Sequence, residues 1–211
     1  MLKFRVLRLL QKIILPWLSF SFNDATYCYW IHLYNSTWAN ERAVEVPIFQ
    51  KILAAARTKK VLEIGNVLSH YQPIEHAVLD KYEVAPGVIN QDLVNFSPER
   101  KFDLILSIST LEHIGVDEEP RQPKKATRAL KRIKTLLAMQ GVAYVSIPLG
   151  YNPVLDQLIF DDSKLFTAKW FLKRNSWLNT WSEAELTEVK RSKYGWPFPN
   201  ANAVFIGQIK A

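Results

Sequence analysis

The sequence predicts an α/β domain of the doubly wound type, with a mostly parallel central sheet. Strand-like and helix-like segments alternate over about 100 residues, which favours parallel strand pairing through right-handed crossovers. One strand-like segment, residues 102–108, is apolar almost throughout, as expected of a strand buried on both faces of a sheet. Together these two observations define the predicted fold class.

The predicted elements follow the hydrophobic periodicity. A helix covers residues 48–56, where apolar side chains recur at helical spacing. A second helix has an apolar side from Ala126 to Leu137 and ends near Gly141. Short apolar or β-branched runs predict strands at residues 60–65, 77–80, 87–90, 102–108, 142–147 and 202–209.

The chain divides into two predicted parts. Residues 1–47 form an amphipathic helix and an aromatic-rich extension, and residues 48–211 form the domain that carries the site. The aromatic side chains of residues 19–47 favour a segment that lies over the open edge of the domain. We therefore expect one domain with an N-terminal helical extension.

Residues 1–18 have the pattern of an amphipathic helix. Arg5, Arg8 and Lys12 fall on one side, apolar side chains fall on the other, and Trp17 lies near the end. The charges disfavour a membrane-spanning helix, and no cleavage site of a secretory signal is evident. The segment is either an interfacial membrane anchor or a helix that packs on the domain or a second subunit. We expect a cytoplasmic protein; in the first of these two alternatives, residues 1–18 would make peripheral contact with the inner membrane face.

The net charge is +7, from 27 basic and 20 acidic residues. Residues 121–134 contain seven basic residues and no acid, and no aromatic residue interleaves them. This pattern favours a solvated helix face over a nucleic-acid site. Cys28 is the only cysteine and the four histidines lack ligand spacing, so neither an intramolecular disulfide nor a metal site is expected.

Carboxylates follow three of the predicted strands. Glu63 and Gly65 close the first strand, Asp80 closes the second, and Asp92 follows the third. Ligands of such sheets bind beyond the carboxyl ends of the strands. A glycine there lets the backbone approach a ligand, and a carboxylate can accept both hydroxyls of a ribose. Asp92 is placed to receive the exocyclic amine of an adenine.

The sequence resembles the class I S-adenosylmethionine-dependent methyltransferases. The resemblance rests on Val-Leu-Glu-Ile-Gly-Asn at 61–66, Val-Leu-Asp at 78–80 and the run from Phe102 through Leu-Glu-His-Ile at 111–114. It implies a seven-stranded sheet and S-adenosylmethionine as cofactor. It also implies that Asp80 binds the ribose and that Asp92 and Leu93 bind the adenine. The first loop would carry the cofactor and the fourth strand end would flank its methionine part, which adds Glu63, Gly65, Asn66, Ser107 and Ile108 to the predicted site.

The first loop departs from the family pattern. Members of the family carry two or three glycines there, whereas this chain has only Gly65, with Val67 where the second glycine is expected. A β-branched side chain would crowd the methionine part if the loop followed the usual path. Either the loop takes another path, or the cofactor shifts, or binding has been lost; we favour retained binding because the carboxylates are all present.

Histidine and tyrosine residues near the strand ends are candidates for the acceptor side. His113 follows the fourth strand and could remove a proton from an acceptor, although a capping or packing role explains it as well. His70 and Tyr71 lie on the unusual first loop. A loop rich in Gly and Pro follows the fifth strand, and its candidates are Tyr151, Asn152 and Asp156.

A second charged segment, residues 40–45, could also shape the acceptor site. Glu41 and Glu45 share one helical face with Arg42 beside them, so a structural ion pair is the favoured interpretation.

The favoured function is methyl transfer from S-adenosylmethionine to a small molecule or to a glycan or lipid precursor. The alternative is a non-catalytic relative that keeps the fold and binds a partner or a membrane through its basic faces. A dinucleotide-dependent oxidoreductase is disfavoured because the first loop lacks G-x-G-x-x-G.

Overall fold

A computed structural model describes residues 2–161 and 164–211 of the chain. Its helices are α1 (Leu2–Ile14), α2 (Arg42–Ala54), α3 (Lys125–Leu136), α4 (Pro153–Phe160) and α5 (Leu186–Val189). A two-stranded sheet contains β1 (Ser19–Phe22) and β2 (Ala25–Cys28). The main sheet contains β3 (Val61–Ile64), β4 (Ala77–Leu79), β5 (Val88–Ile89), β6 (Phe102–Ile108), β7 (Leu137–Pro148), β8 (Ala168–Arg174), β9 (Trp181–Glu183) and β10 (Ala203–Lys210).

The main sheet is doubly wound, as the sequence predicts. Its strand order is β5-β4-β3-β6-β7-β10-β8-β9, and the first five of these strands pair in parallel. Their chain order across the sheet, 3-2-1-4-5, is that of a doubly wound fold with its switch point between β3 and β6. β10 pairs antiparallel with both β7 and β8, and β9 pairs antiparallel with β8.

The predicted number of seven strands is wrong, because the main sheet has eight. β8 and β9 both lie outside the six segments that the hydrophobic pattern predicts as strands. β9 extends the sheet edge beside β8 through pairs such as Leu172 with Glu183.

The boundary between α3 and β7 also differs from the prediction. α3 ends at Leu136 and the strand begins at Leu137, whereas the sequence predicts helix up to Gly141. Gly141 lies inside β7, and a Cβ atom there would stand 2.7 Å from the carbonyl oxygen of Phe102. This glycine therefore permits close approach of β6 and β7 and does not end a helix.

Two apolar layers cover the sheet. One layer contains α3, α4 and α5, with Leu130, Ile133 and Val189 fully buried. The other contains α2 and the N-terminal extension, whose buried side chains include Leu15, Phe20 and Phe49. β3 is buried along its whole length because it lies between the two layers.

Pro47 links the extension to the domain. α2 begins at Arg42, so the predicted division after residue 47 falls inside this helix, and the division itself remains a prediction. Pro47 has no N–H to donate to the carbonyl of Ala43, and Trp30 N–H donates to that oxygen instead, at 2.8 Å. Because of Pro47, the carbonyl oxygen of Ala43 is available to accept the hydrogen bond that connects Trp30 of the extension to α2.

In the described part of the chain, no helix has both the length and the apolar character that a membrane crossing requires.

Candidate functional site

A cavity of about 670 Å³ opens at the carboxyl ends of β3, β4, β5 and β6. This is the switch point, where ligands of doubly wound sheets bind. Six of the predicted site residues line the cavity: Gly65, Asn66, Asp80, Asp92, Leu93 and His113. Further lining residues are Ile64, Val67, Leu79, Lys81, Tyr82, Glu83, Gln91, Ser109, Thr110, Ile114, Asp117 and Glu118.

Glu63 holds the first loop in its shape. Its buried carboxylate accepts hydrogen bonds from Val67 N at 2.9 Å and Leu68 N at 2.8 Å through one oxygen. Its other oxygen lies 2.7 Å from Nε2 of His76. Glu63 does not line the cavity, and the loop that it holds closes into a 3₁₀ turn at Leu68–His70.

Both the backbone conformation at position 65 and the packing of Thr110 require a glycine there. Its φ is +85°, in the left-handed region, and a Cβ atom would lie 2.1 Å from Oγ1 of Thr110. Thr110 therefore occupies the space where a side chain of residue 65 would lie, and this space is not part of the cavity. Glycine here allows the β3 and β6 ends to meet.

Asp80 and Asn66 face each other across the ends of β3 and β4. Oδ1 of Asp80 accepts from the backbone N–H groups of Tyr82 and Glu83, each at 2.8 Å. Oδ2 accepts from Asn66 N at 3.2 Å, and the Asn66 side chain donates to Glu83 at 2.7 Å. Because a carboxylate oxygen can accept more than one bond, Oδ2 retains capacity for a ligand hydroxyl.

Asp92 belongs to a cluster of four charged side chains. Its Oδ2 lies 2.5 Å from Nζ of Lys125 and 3.4 Å from Nζ of Lys81. Glu118 bonds to the same two ammonium groups, at 2.5 and 3.1 Å. Burial alone would raise the pKa of Asp92, but Lys125 and Lys81 hold it below its ordinary value. Asp92 is therefore an anion beside Leu93 at this end of the cavity.

Three members of this cluster were missed by the sequence analysis. Lys125 was included in a solvated basic face, but it is only 7% exposed. It occupies the inward side of α3 with Ala129 and Ile133, and this helical spacing was a usable signal. Lys81 and Glu118 showed no local pattern from which they could be predicted.

His113 lies at the cavity rim in a hydrogen-bonded group. Its Nδ1 is 2.5 Å from Oδ2 of Asp117, and the hydroxyl of Tyr151 donates to the same oxygen at 2.7 Å. Burial alone would raise the pKa of Asp117, but the bonds from Tyr151 and His113 keep it lowered. Nε2 of His113 lies 3.6 Å from Glu112, and the imidazole is half exposed. A histidine oriented at Nδ1 by a carboxylate can accept a proton at Nε2.

The remaining predicted site residues lie outside the cavity lining. Ser107 and Ile108 are buried within β6, and the next two residues, Ser109 and Thr110, line the cavity in their place. Asn152 is fully buried, where it caps α4 and donates to the carbonyl of Glu112 at 3.0 Å.

Three further candidates serve local contacts in the structure. Asp156 accepts from Gly150 N at 3.0 Å, and burial raises its pKa to about 6. His70 stacks on Tyr34 at 4.0 Å between ring centroids and pairs with Glu83 at 3.0 Å. Tyr71 packs edge-on against Tyr34, so both loop residues contact the extension.

The charged segment 40–45, which includes the first turn of α2, does not line the cavity but contacts Ser109, which does. The predicted ion pair is formed by Arg42 and Glu45 at 2.6 Å, and Arg42 also donates to the carbonyl of Ser109 at 3.2 Å. The hydroxyl of Ser109 donates to Glu45 at 2.5 Å. Burial raises the pKa of the neighbouring Glu112 well above its ordinary value, against the opposing effect of Arg42. The segment thus holds the Ser109 turn that borders the cavity.

Among the described residues, no three His, Cys, Asp or Glu side chains are grouped to hold a metal ion.

Several solved structures are similar to the chain. The N-methyltransferase NodS of Bradyrhizobium japonicum, in complex with S-adenosyl-L-homocysteine, is 12% identical over 76% of this chain and 84% of its own, with a TM-score of 0.46. A possible histamine N-methyltransferase of Thermotoga maritima is 14% identical over 77% and 86%, also with a TM-score of 0.46. The magnesium protoporphyrin IX methyltransferase of Synechocystis PCC 6803, with bound SAM, is 11% identical over 79% and 78%, with a TM-score of 0.45.

No protein-family model and no curated protein matches the sequence. The identities and TM-scores of these solved structures are low, and they carry no conclusion about function.

Replacement of Gly65 by alanine should destabilise the protein more than replacement of Gly87. Both glycines have a left-handed φ, but nothing lies within 4 Å of a Cβ at Gly87, whereas Thr110 blocks that position at Gly65. The free energy of unfolding should fall about 1–3 kcal/mol further in Gly65→Ala than in Gly87→Ala. Urea unfolding of the two variants measures this difference, and equal losses would contradict the packing of Thr110 on Gly65.

Asp156 should make the protein less stable as the pH rises. Its folded pKa of about 6 exceeds the unfolded value of about 3.9, so the folded state binds the proton more tightly. Stability is therefore lost between about pH 4 and about pH 6, by less than the shift implies because the side chain is partly exposed. Asp156→Asn removes this titration, and its stability relative to the wild type should rise across that range in urea unfolding. A difference that stays constant with pH would refute the raised pKa.

Proposed function

We propose that the protein is an S-adenosylmethionine-dependent methyltransferase. The observation that carries this proposal is the convergence of Asn66, Asp80 and Asp92 on one cavity at the switch point. Two carboxylates and an amide are the groups suited to ribose hydroxyls and an adenine amine. The cavity volume of about 670 Å³ is within the range of cofactor sites.

Different residues of the cavity would contact the ribose, the adenine and the methionine part of the cofactor. Oδ2 of Asp80 would accept from the ribose, and Asp92 with Leu93 would contact the adenine. Two turns would border the methionine part of the cofactor: Gly65–Asn66 and Ser109–Thr110. The second turn takes the place of the predicted Ser107 and Ile108. When bound, S-adenosylmethionine supplies an activated methyl group for in-line displacement, and the protein aligns the acceptor with it.

Val67 fits this proposal despite its β-branched side chain. Glu63 accepts hydrogen bonds from the backbone of Val67 and Leu68 where the loop enters a 3₁₀ turn, and we propose that this path keeps Val67 from crowding the ligand. Val67 forms one wall of the cavity and leaves it open.

His113 would act as the base that removes a proton from the acceptor. Asp117 receives Nδ1–H, so that Nε2 is the nitrogen that would take the proton, while the hydroxyl of Tyr151 donates to Asp117. Such a base suits an acceptor whose oxygen or nitrogen must lose a proton. We propose a small molecule, including a glycan or lipid precursor, as the acceptor class.

The proposed location is the cytoplasm, with peripheral contact between residues 1–18 and the inner membrane face.

Calorimetry with S-adenosyl-L-homocysteine tests the proposed cofactor site. The wild type should bind it saturably, and Asp80→Asn should weaken binding by about 1–3 kcal/mol through lost hydrogen bonds to the ribose. Asp103→Asn is the matched control, because Asp103 also accepts a backbone N–H but lies at the opposite end of β6. Absence of heat with the wild type would favour a non-catalytic binding protein, and equal affinity in Asp80→Asn would remove Asp80 from the site.

Methyl transfer from radiolabelled S-adenosylmethionine to a panel of phenols, amines and sugars tests the role of His113. With an accepted substrate, His113→Asn should lower kcat by about 10²–10⁴-fold while binding of S-adenosyl-L-homocysteine is retained. Asp117→Asn should lower kcat less, since it removes only the group that orients the imidazole. Full activity of His113→Asn would exclude this histidine as the base.

A further inference from the structure

α1 is attached to the protein along a narrow side. Gln11 is only 3% exposed, and its side-chain amide donates to the carbonyl of Trp177 at 2.7 Å. Leu15, directly after the helix, is fully buried. Nζ of Lys12 lies 5.3 Å from the ring centroid of Trp38. The helix is therefore held in one orientation about its axis.

This orientation turns the apolar side of α1 outward. Its outward apolar side chains are between 42% and 58% exposed, and Trp17, just after the helix, is 87% exposed. We call this surface the apolar face of α1; it consists of Val6, Leu9, Leu10, Ile13 and Trp17. A helix that served only to cover the domain would bury these side chains, since their exposure forfeits hydrophobic stabilisation.

Cations border the apolar face on one side. Arg5 and Arg8 are exposed and form no ion pair with any part of the chain that the structure describes. The first acidic residue in the sequence is Asp24, after α1 and the following strand. The positive charges of Arg5 and Arg8 beside the apolar face, which we call its cationic margin, are therefore not neutralised by an acidic residue of α1.

We propose that α1 lies flat on an anionic lipid bilayer, with its apolar face in the acyl boundary and Arg5 and Arg8 at the headgroups. Exposed apolar residues, a cationic margin and a terminal tryptophan are together the features of an interfacial helix. This inference gives the proposed peripheral contact its residues and its lipid class, and it does not depend on cofactor binding.

Charge distinguishes this partner from a second copy of the chain. Two α1 helices packed through their apolar faces in a symmetric dimer would bring four arginine charges together, with no acidic residue in either helix. An anionic bilayer instead offers the opposite charge to the same margin.

α3 provides the internal comparison. It also carries exposed cations, including Lys131 and Lys134, but its apolar residues Ala129, Leu130 and Ile133 are fully buried. α3 therefore has charge without an apolar face, which is the pattern of a solvated helix.

Sedimentation of the full chain with phosphatidylcholine vesicles, with and without phosphatidylglycerol, tests the proposal. The wild type should bind the vesicles that contain phosphatidylglycerol. Leu9→Glu with Ile13→Glu should weaken this binding by at least roughly tenfold, because two apolar contacts are lost. Arg5→Gln with Arg8→Gln should weaken it roughly 30-fold.

Two control variants complete the experiment. Lys131→Gln with Lys134→Gln removes equal charge from α3, and Met139→Glu places an acid at a residue of β7 that is 92% exposed; both variants should bind as the wild type does. Circular dichroism checks that each variant is folded. Three outcomes would overturn the proposal: no vesicle binding by the wild type, loss of binding in the double variant of α3, or wild-type binding in both double variants of α1. So would a dimer, measured by ultracentrifugation, that Leu9→Glu with Ile13→Glu dissociates.

Discussion

The buried carboxylate of Glu63 is the interaction on which the candidate site depends. It receives two backbone N–H groups of the first loop and the imidazole of His76, which precedes β4. A buried carboxylate needs hydrogen-bond partners to offset its desolvation, and Glu63 receives them from the first loop and from the residue before β4, which holds both at the end of β3. This contact places Asn66 beside Asp80, and both residues line the cavity.

The extension stabilises the same loop from outside. Tyr34 stacks on His70, and Trp30 is fastened to α2 at the acceptor that Pro47 leaves. α2 in turn holds Ser109 through Arg42 and Glu45. Residues of the extension thus act on both turns that border the cavity, although they do not line it.

The charged side chains of the site form two groups whose members are joined by hydrogen bonds or ion pairs. Asp92 and Glu118 share Lys81 and Lys125, while Asp117 is shared by His113 and Tyr151. Each group keeps a carboxylate ionised despite partial burial, because hydrogen-bonded partners offset the desolvation. Glu112, without such a partner on its second oxygen, is the contrasting case, and burial raises its pKa.

The sequence by itself determined the fold class and the edge of the sheet at which Asp80 and Asp92 lie. Both follow from local properties, because hydrophobic alternation identifies strands and parallel strands bring their carboxyl ends to one edge. Sequence could not place Glu63 or α1, since a side chain at a strand end or on a helix can face either of two surroundings. The helical spacing of Lys125 indicates the inward side of α3 but not the carboxylates that it pairs with. Only the tertiary structure decided these, through residues far away along the chain: Thr110 meets Gly65, Asp92 meets Lys125, and the carbonyl of Trp177 fixes Gln11 and so turns the apolar face of α1 outward.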